Sequence, residues 1–156
     1  KAQNVNDMWL PAATEDDPAI VAVSSSAAWR ITAIAAVGLI AHFIALRNVR
    51  KGNQSGLKTF GLLAFVISAV ALVVQLQQFG AVSFTFWDGG YVSCWYMFAI
   101  MNTVHLALTA FISLGNWNRS RLGLYKADHW QVDIVNVWWI WMVVSSLLGA
   151  FSLSYT

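Results

Sequence analysis

The sequence predicts an all-α protein built as a transmembrane four-helix bundle, and three observations lead there. Hydrophobic residues make up 58% of the 156-residue chain and charged ones only 10%, too little polar side chain to cover a water-soluble globule of this size. The apolar residues gather into four long stretches, each able to cross a hydrocarbon core of about 30 Å as a helix of about 20 residues. Nine Trp suit a molecule that crosses apolar–aqueous boundaries, where amphipathic rings are favoured.

Taken in order, residues 1–18 carry Pro11, Glu15, Asp16, Asp17 and Pro18. They do not resemble a signal peptide and read as an extramembrane N-terminal tail. Spans are expected over 19–46, 57–79, 91–114 and 132–153, which together form one transmembrane domain over 19–156. The first begins with the weakly apolar run Ser24-Ser25-Ser26 and holds Arg30, whose long stem can snorkel to the near surface. Ionic side chains in the spans are otherwise limited to Lys58 and Asp133, near span ends. Helices are the expected form because open strands would leave unpaired backbone groups in lipid.

The connections divide by charge. The loop over 47–56 holds Arg47, Arg50 and Lys51 with Gly52 and Gly56, and Lys58 follows. The loop over 80–90 has no Lys or Arg, whereas 115–131 has Arg119, Arg121 and Lys126. First and third loops share a side, so the positive-inside rule puts that side in the cytoplasm or matrix and both termini outside. Arg47, Arg50, Lys51, Arg119, Arg121 and Lys126 are expected to meet anionic lipid headgroups. Their division between two short loops argues against nucleic-acid binding. Asn118-Arg119-Ser120 matches a glycosylation pattern, but on the inner face it reads as chance. The lone Cys94 excludes an internal disulfide or a multi-cysteine metal site and reads as a small apolar residue.

Polar groups inside the spans are costly and need partners. Asn102 and His105 share a helix face, as do Asp133 and Asn136, the latter followed by Trp138, Trp139 and Trp141. Gln75, Gln77 and Gln78 lie near the end of the second span, and His42 is about one turn from the end of the first. A lone histidine so placed is expected to bond a neighbouring helix, although His42 with His105 is the one pair available to ligate a haem. A proton relay through Asp133 lacks a second intramembrane carboxylate. Gly89-Gly90 reads as a turn into the third span, with Asp88 suited to capping it. Patterns for nucleophilic catalysis, phosphate binding or metal clusters are absent.

Phe84-Thr85-Phe86-Trp87-Asp88-Gly89-Gly90-Tyr91-Val92-Ser93 aligns without a gap to Phe-Thr-Ile-Ser-Asp-Gly-Val-Tyr-Gly-Ser, the loop before the sixth helix of haem-copper cytochrome oxidase subunit III. In the same register the family's His-Gly-Leu-His-Val falls on Asn102-Thr103-Val104-His105-Leu106, and a Gln and a Glu of the fifth helix fall on Gln75 and Gln78. With one residue deleted, Trp-His-Phe-Val-Asp-Val-Val-Trp resembles Trp130-Gln131-Val132-Asp133-Ile134-Val135-Asn136. The chain thus resembles the C-terminal four-helix portion of cytochrome c oxidase subunit III, helices four to seven of seven. The family's first three helices have no counterpart in these residues.

The resemblance implies a non-catalytic accessory subunit that packs against oxidase subunit I and other membrane subunits, holds phospholipids and supports proton uptake and lasting turnover. It would bind no cofactor itself, with haem and copper in its partners. A nitric oxide reductase with a similar subunit is a related possibility, and the setting would be a bacterial plasma membrane or mitochondrial inner membrane. Gln78, Asn102 and Gln131 replace titratable family residues, which keeps hydrogen bonding but not proton transfer. The role expected of Gln78, Asp88, Asn102, His105, Gln131, Asp133 and Asn136 is therefore interhelical fastening. Two rivals are a haem b-binding anchor of a quinone-linked dehydrogenase, ligated by His42 and His105, and a stand-alone membrane assembly protein.

Overall fold

A computed structural model describes residues 23–126 and 128–154. Among them are four helices: α1 (Ser26–Arg50), α2 (Gln54–Gly80), α3 (Gly90–Arg121) and α4 (Trp130–Ser154). Each is long and apolar enough to cross a membrane, and the described residues contain no strand. The chain is a multi-pass membrane protein.

The helices run up and down in a ring. α1 packs on α2 and α4, and α3 packs on the same two, while the diagonal pairs do not approach closely. Their buried faces share one pattern. Ile31, Ala35, Gly38, His42, Ala45 and Val49 line α1; Gly61, Ala64, Ser68, Ala71 and Gln75 line α2. On α3 the buried series is Val92, Trp95, Ala99, Leu106, Thr109, Ser113, Asn116 and Ser120, and on α4 it is Val132, Val135, Trp139, Met142 and Ser146. Steps of three and four residues are the repeat of left-handed coiled coils. Small and polar residues dominate these faces because lipid is as apolar as any core, so close approach and hydrogen bonding are what inward-facing side chains add. Large apolar residues such as Val37, Ile40, Val66, Val73, Phe111 and Val137 point outward.

The turn between α1 and α2 depends on Gly52. Its φ of +74° is a left-handed conformation that a Cβ would strain, and it lets Asn53 N–H return to the Asn48 carbonyl at 2.9 Å. Asn53 then caps α2, its Oδ1 accepting from Gly56 N–H at 3.0 Å.

Four helix limits differ from expectation, one being that α2 begins at Gln54 rather than at 57. α1 begins at Ser26 rather than at 19, since 23–24 are not helical, and it continues past Leu46 to Arg50. Residues 19–22, with the tail over 1–18, lie outside the described residues. α3 does not stop at Gly115 but continues to Arg121; a helical glycine costs only roughly 1 kcal/mol, and Ser120 on the added turns bonds the Trp117 carbonyl at 2.6 Å. The third connection shortens accordingly to 122–129.

Candidate functional site

A hydrogen-bonded chain crosses all four helices in the half of the bundle remote from the basic loops. On α4, Ser146 donates from Oγ to Asn102 Oδ1 at 2.8 Å. Asn102 Nδ2 donates to Gln75 Oε1 at 2.6 Å, and Gln75 Nε2 to Gln78 Oε1 at 2.9 Å. Thr32 brings in α1, its Oγ1 3.1 Å from the Ser146 carbonyl and 2.9 Å from that of Ala28. All the donors point one way along the chain, so each bond polarises the next. Gln75 is 2% exposed, and a cavity of about 30 Å³ beside these groups has room for one or two waters. None of these side chains titrates in a useful range, so they can fasten helices and orient a water but not carry charge.

Next along the bundle, α4 is pinned to α3 by two indoles. Trp138 Nε1 donates to Thr109 Oγ1 at 2.9 Å, and that hydroxyl donates to the His105 carbonyl at 2.7 Å. Trp139 Nε1 donates to Ser113 Oγ at 3.2 Å. Trp139 is fully buried, and its ring stacks on His42 with centroids 6.3 Å apart. His42 Nε2 lies 3.3 Å from the Val132 carbonyl. His105 instead meets the edges of Trp138 and Trp141, at 5.9 and 6.2 Å. The two histidines therefore meet different partners. They sit on diagonal helices, His42 is engaged by α4, and the Trp139 indole reaches from α1 to α3 across the interior.

At the basic end Arg50 bonds Asp133, tying α1 to α4, and His129 Nδ1 lies 3.4 Å from the other carboxylate oxygen. With side chains 57% and 34% exposed, this pair contributes no more than about 1 kcal/mol. One guanidinium nitrogen of Arg50 is engaged in this way while the side chain stays exposed. Arg47, Lys51, Arg119, Arg121 and Lys126 are exposed there. Arg121 lies over the Trp117 ring at 4.9 Å and Arg119 over Tyr125 at 5.9 Å.

Three placements depart from the sequence reading. Asp88 does not cap α3: the N-cap is Gly89 and makes no side-chain bond. The carboxylate turns back to accept from Thr85 N–H at 2.6 Å and Thr85 Oγ1 at 3.0 Å, bracing the loop from within. Gln131 likewise bonds locally, accepting from Tyr125 Oη at 3.4 Å. Asn136 Oδ1, with Asn116 Oδ1 and Gln54 Oε1, is buried without a partner among the described residues. The sequence does not single out Ser146, Thr32, Thr109 and Ser113, because isolated hydroxyls in a hydropathic stretch carry no signal until a partner helix is known.

Burial raises the Tyr125 phenol above its ordinary value of 10.0, against the opposing pull of Arg119. The folded state then holds this proton more tightly than the unfolded state, so the group's effect on stability is constant below about pH 10 and unfavourable above it. Between about pH 9 and 11 the thermal midpoint in detergent is expected to fall further for wild type than for Tyr125→Phe. Parallel falls would show the phenol to be solvated.

No protein-family model matches the chain. The chain is 35% identical over 81 residues to a Trichophyton rubrum protein described as "Cytochrome c oxidase subunit 3". The matched stretch is 51% of this chain and spans 29% of that protein's length.

Proposed function

We propose that this membrane protein is a non-catalytic, subunit III-like accessory subunit of a haem-copper terminal oxidase, packed against the catalytic subunit. The similarity to an oxidase subunit 3 over half the chain is the observation that carries this reading. The polar network supports it: the residues aligned with the family's fifth and sixth helices, Gln75, Gln78 and Asn102, bond one another across α2 and α3. They act there as fasteners, and their amide chemistry leaves electron transfer, oxygen reduction and proton pumping to partner subunits that hold haem and copper. The exposed Arg47, Lys51, Arg119, Arg121 and Lys126 would face the cytoplasm or matrix and bind anionic headgroups, with the two termini outside. A bacterial plasma membrane or a mitochondrial inner membrane fits this role.

Isolation from native membranes in mild detergent tests the reading. A haem-copper catalytic subunit is expected to co-isolate with the chain at about one to one, and its removal is expected to shorten the period of sustained turnover. Isolation of the chain without any such subunit, under conditions that keep the oxidase intact, would refute it. The rival haem-anchor role predicts a stoichiometric Soret band from the chain alone, lost in His42→Ala, a residue engaged by the Val132 carbonyl and Trp139.

A further inference from the structure

We infer that the groove between α3 and α4 at His105 is the seat of a transmembrane helix from another polypeptide, which presents a hydrogen-bonding side chain at mid-membrane depth. This deepens the subunit reading above, on which it rests, by assigning the docking face.

The starting point is the His105 imidazole. His105 lies near the middle of the 32-residue α3, more than about 20 Å from either end of the helix. Its carbonyl accepts from Thr109, but neither ring nitrogen has a hydrogen-bond partner among the described residues, and neither is sealed from the surface. The ring lines a groove of about 290 Å³ with Phe98, Met101, Ser145, Leu148 and Gly149. The adjacent pair α3–α4 is the least closely packed of the four.

Hydrocarbon is a poor occupant for this groove. An acyl chain fills the volume but offers no acceptor or donor, and the ester and headgroup oxygens of a lipid stay at the interface, about 15 Å from the midplane. An unpaired polar group facing the bilayer core is costly, which is why intramembrane histidines usually face protein. The walls suit a helix. Ser145 and Gly149 are one turn apart on α4 and bring little bulk, so a second backbone can approach closely, while Phe98, Met101 and Leu148 are all about half exposed or more and supply apolar flanks. A polar side chain on that helix reaching His105 completes the pairing that the described residues leave open.

The test is cross-linking in the assembled complex in native membranes, with a photoreactive phenylalanine analogue at Leu148 and, as the control, at Val70 on the outward face of α2. Leu148 is expected to capture a membrane subunit of the oxidase and Val70 only lipid. His105→Leu is expected to lower the Leu148 yield roughly three- to fifteen-fold, the range of a membrane interhelical hydrogen bond, and His105→Gln to restore it. A lipid-only adduct at Leu148, a cross-link to a second copy of this chain, or an undiminished yield in His105→Leu, with the oxidase still co-isolating, overturns the assignment and leaves the subunit reading intact. Capture of a different membrane polypeptide at Leu148, with no oxidase co-isolating, upholds the groove as a helix seat and removes the subunit reading.

Discussion

Trp139→Ala is expected to lower the stability of the bundle by about 3–5 kcal/mol, the range for removing a buried Trp. The indole is fully buried, stacks on His42 from α1, donates to Ser113 on α3 and belongs to α4. Truncation opens a cavity where the buried indole stood and leaves Ser113 Oγ without this donor. Reversible unfolding in mixed micelles, followed by circular dichroism, gives the difference directly, and a loss under about 1 kcal/mol would show that the bundle closes over the gap. Gly38 is the other half of this contact. A Cβ there would lie 2.5 and 2.6 Å from two indole carbons, too close for an aromatic ring pinned on both sides to tolerate. Gly38→Ala is therefore expected to cost about 1–3 kcal/mol despite alanine's better helix propensity. In the Trp139→Ala background the same change becomes close to neutral, since the indole carbons are gone and only the Ile67 Cγ2 methyl, at 3.2 Å, has to give way slightly. Additive effects of the two changes would show that they do not meet.

The second large effect is expected at Asn102. Replacing it with leucine keeps the branching at Cγ but removes both links of the amide chain, leaving Gln75 Oε1 and Ser146 Oγ without the partners they now have. Such unsatisfied groups cost about 1–3 kcal/mol in proteins generally, and measured interhelical bonds in membranes lie toward the lower end, at about 0.6–1.7 kcal/mol each. Two broken bonds place Asn102→Leu near 1–3 kcal/mol, measured by the same unfolding experiment. Gln54→Leu is the informative comparison. Gln54 is not a loop residue as its sequence context suggested but the first residue of α2, half-buried, with a single 3.4 Å bond to the Tyr125 carbonyl and an unpaired Oε1. Removing an acceptor that is already unsatisfied costs little, so Gln54→Leu is expected within about 0.5 kcal/mol of wild type. Equal losses for the two variants would mean that the Asn102 amide is solvated or facing lipid.

How much of this was legible beforehand differs from residue to residue. Asn102 stood out because an amide in the middle of an apolar span must find a partner, and its partner Gln75 was visible for the same reason. Ser146 and Thr32 were not, because a hydroxyl can bond the carbonyl one turn back in its own helix, as Thr32 also does with Ala28, and so its presence in a span demands nothing. Asp88 was read as a cap from its place before Gly89-Gly90, but Thr85 offers both an N–H and a hydroxyl within reach, and two local donors win over one helix terminus. Gly115, placed at the start of the third loop, lies inside α3 instead, since one helical glycine costs only about 1 kcal/mol and does not by itself end a helix.

From the amino-acid order alone followed the four membrane-crossing helices, their all-α bundle class and the gathering of cations at one end, because hydropathy over 20 residues and charge in short loops act on length and sign. Which face of each helix turns inward was decided only by the tertiary structure. In water an apolar stripe marks the core, but in a bilayer the outside is as apolar as the inside, so hydropathy has no lateral contrast. The inward faces are marked instead by small and hydrogen-bonding residues such as Gly38, Ala64, Asn102 and Ser146, and they become recognisable only when the facing helix, with Trp139 against Gly38 or Gln75 against Asn102, is in place.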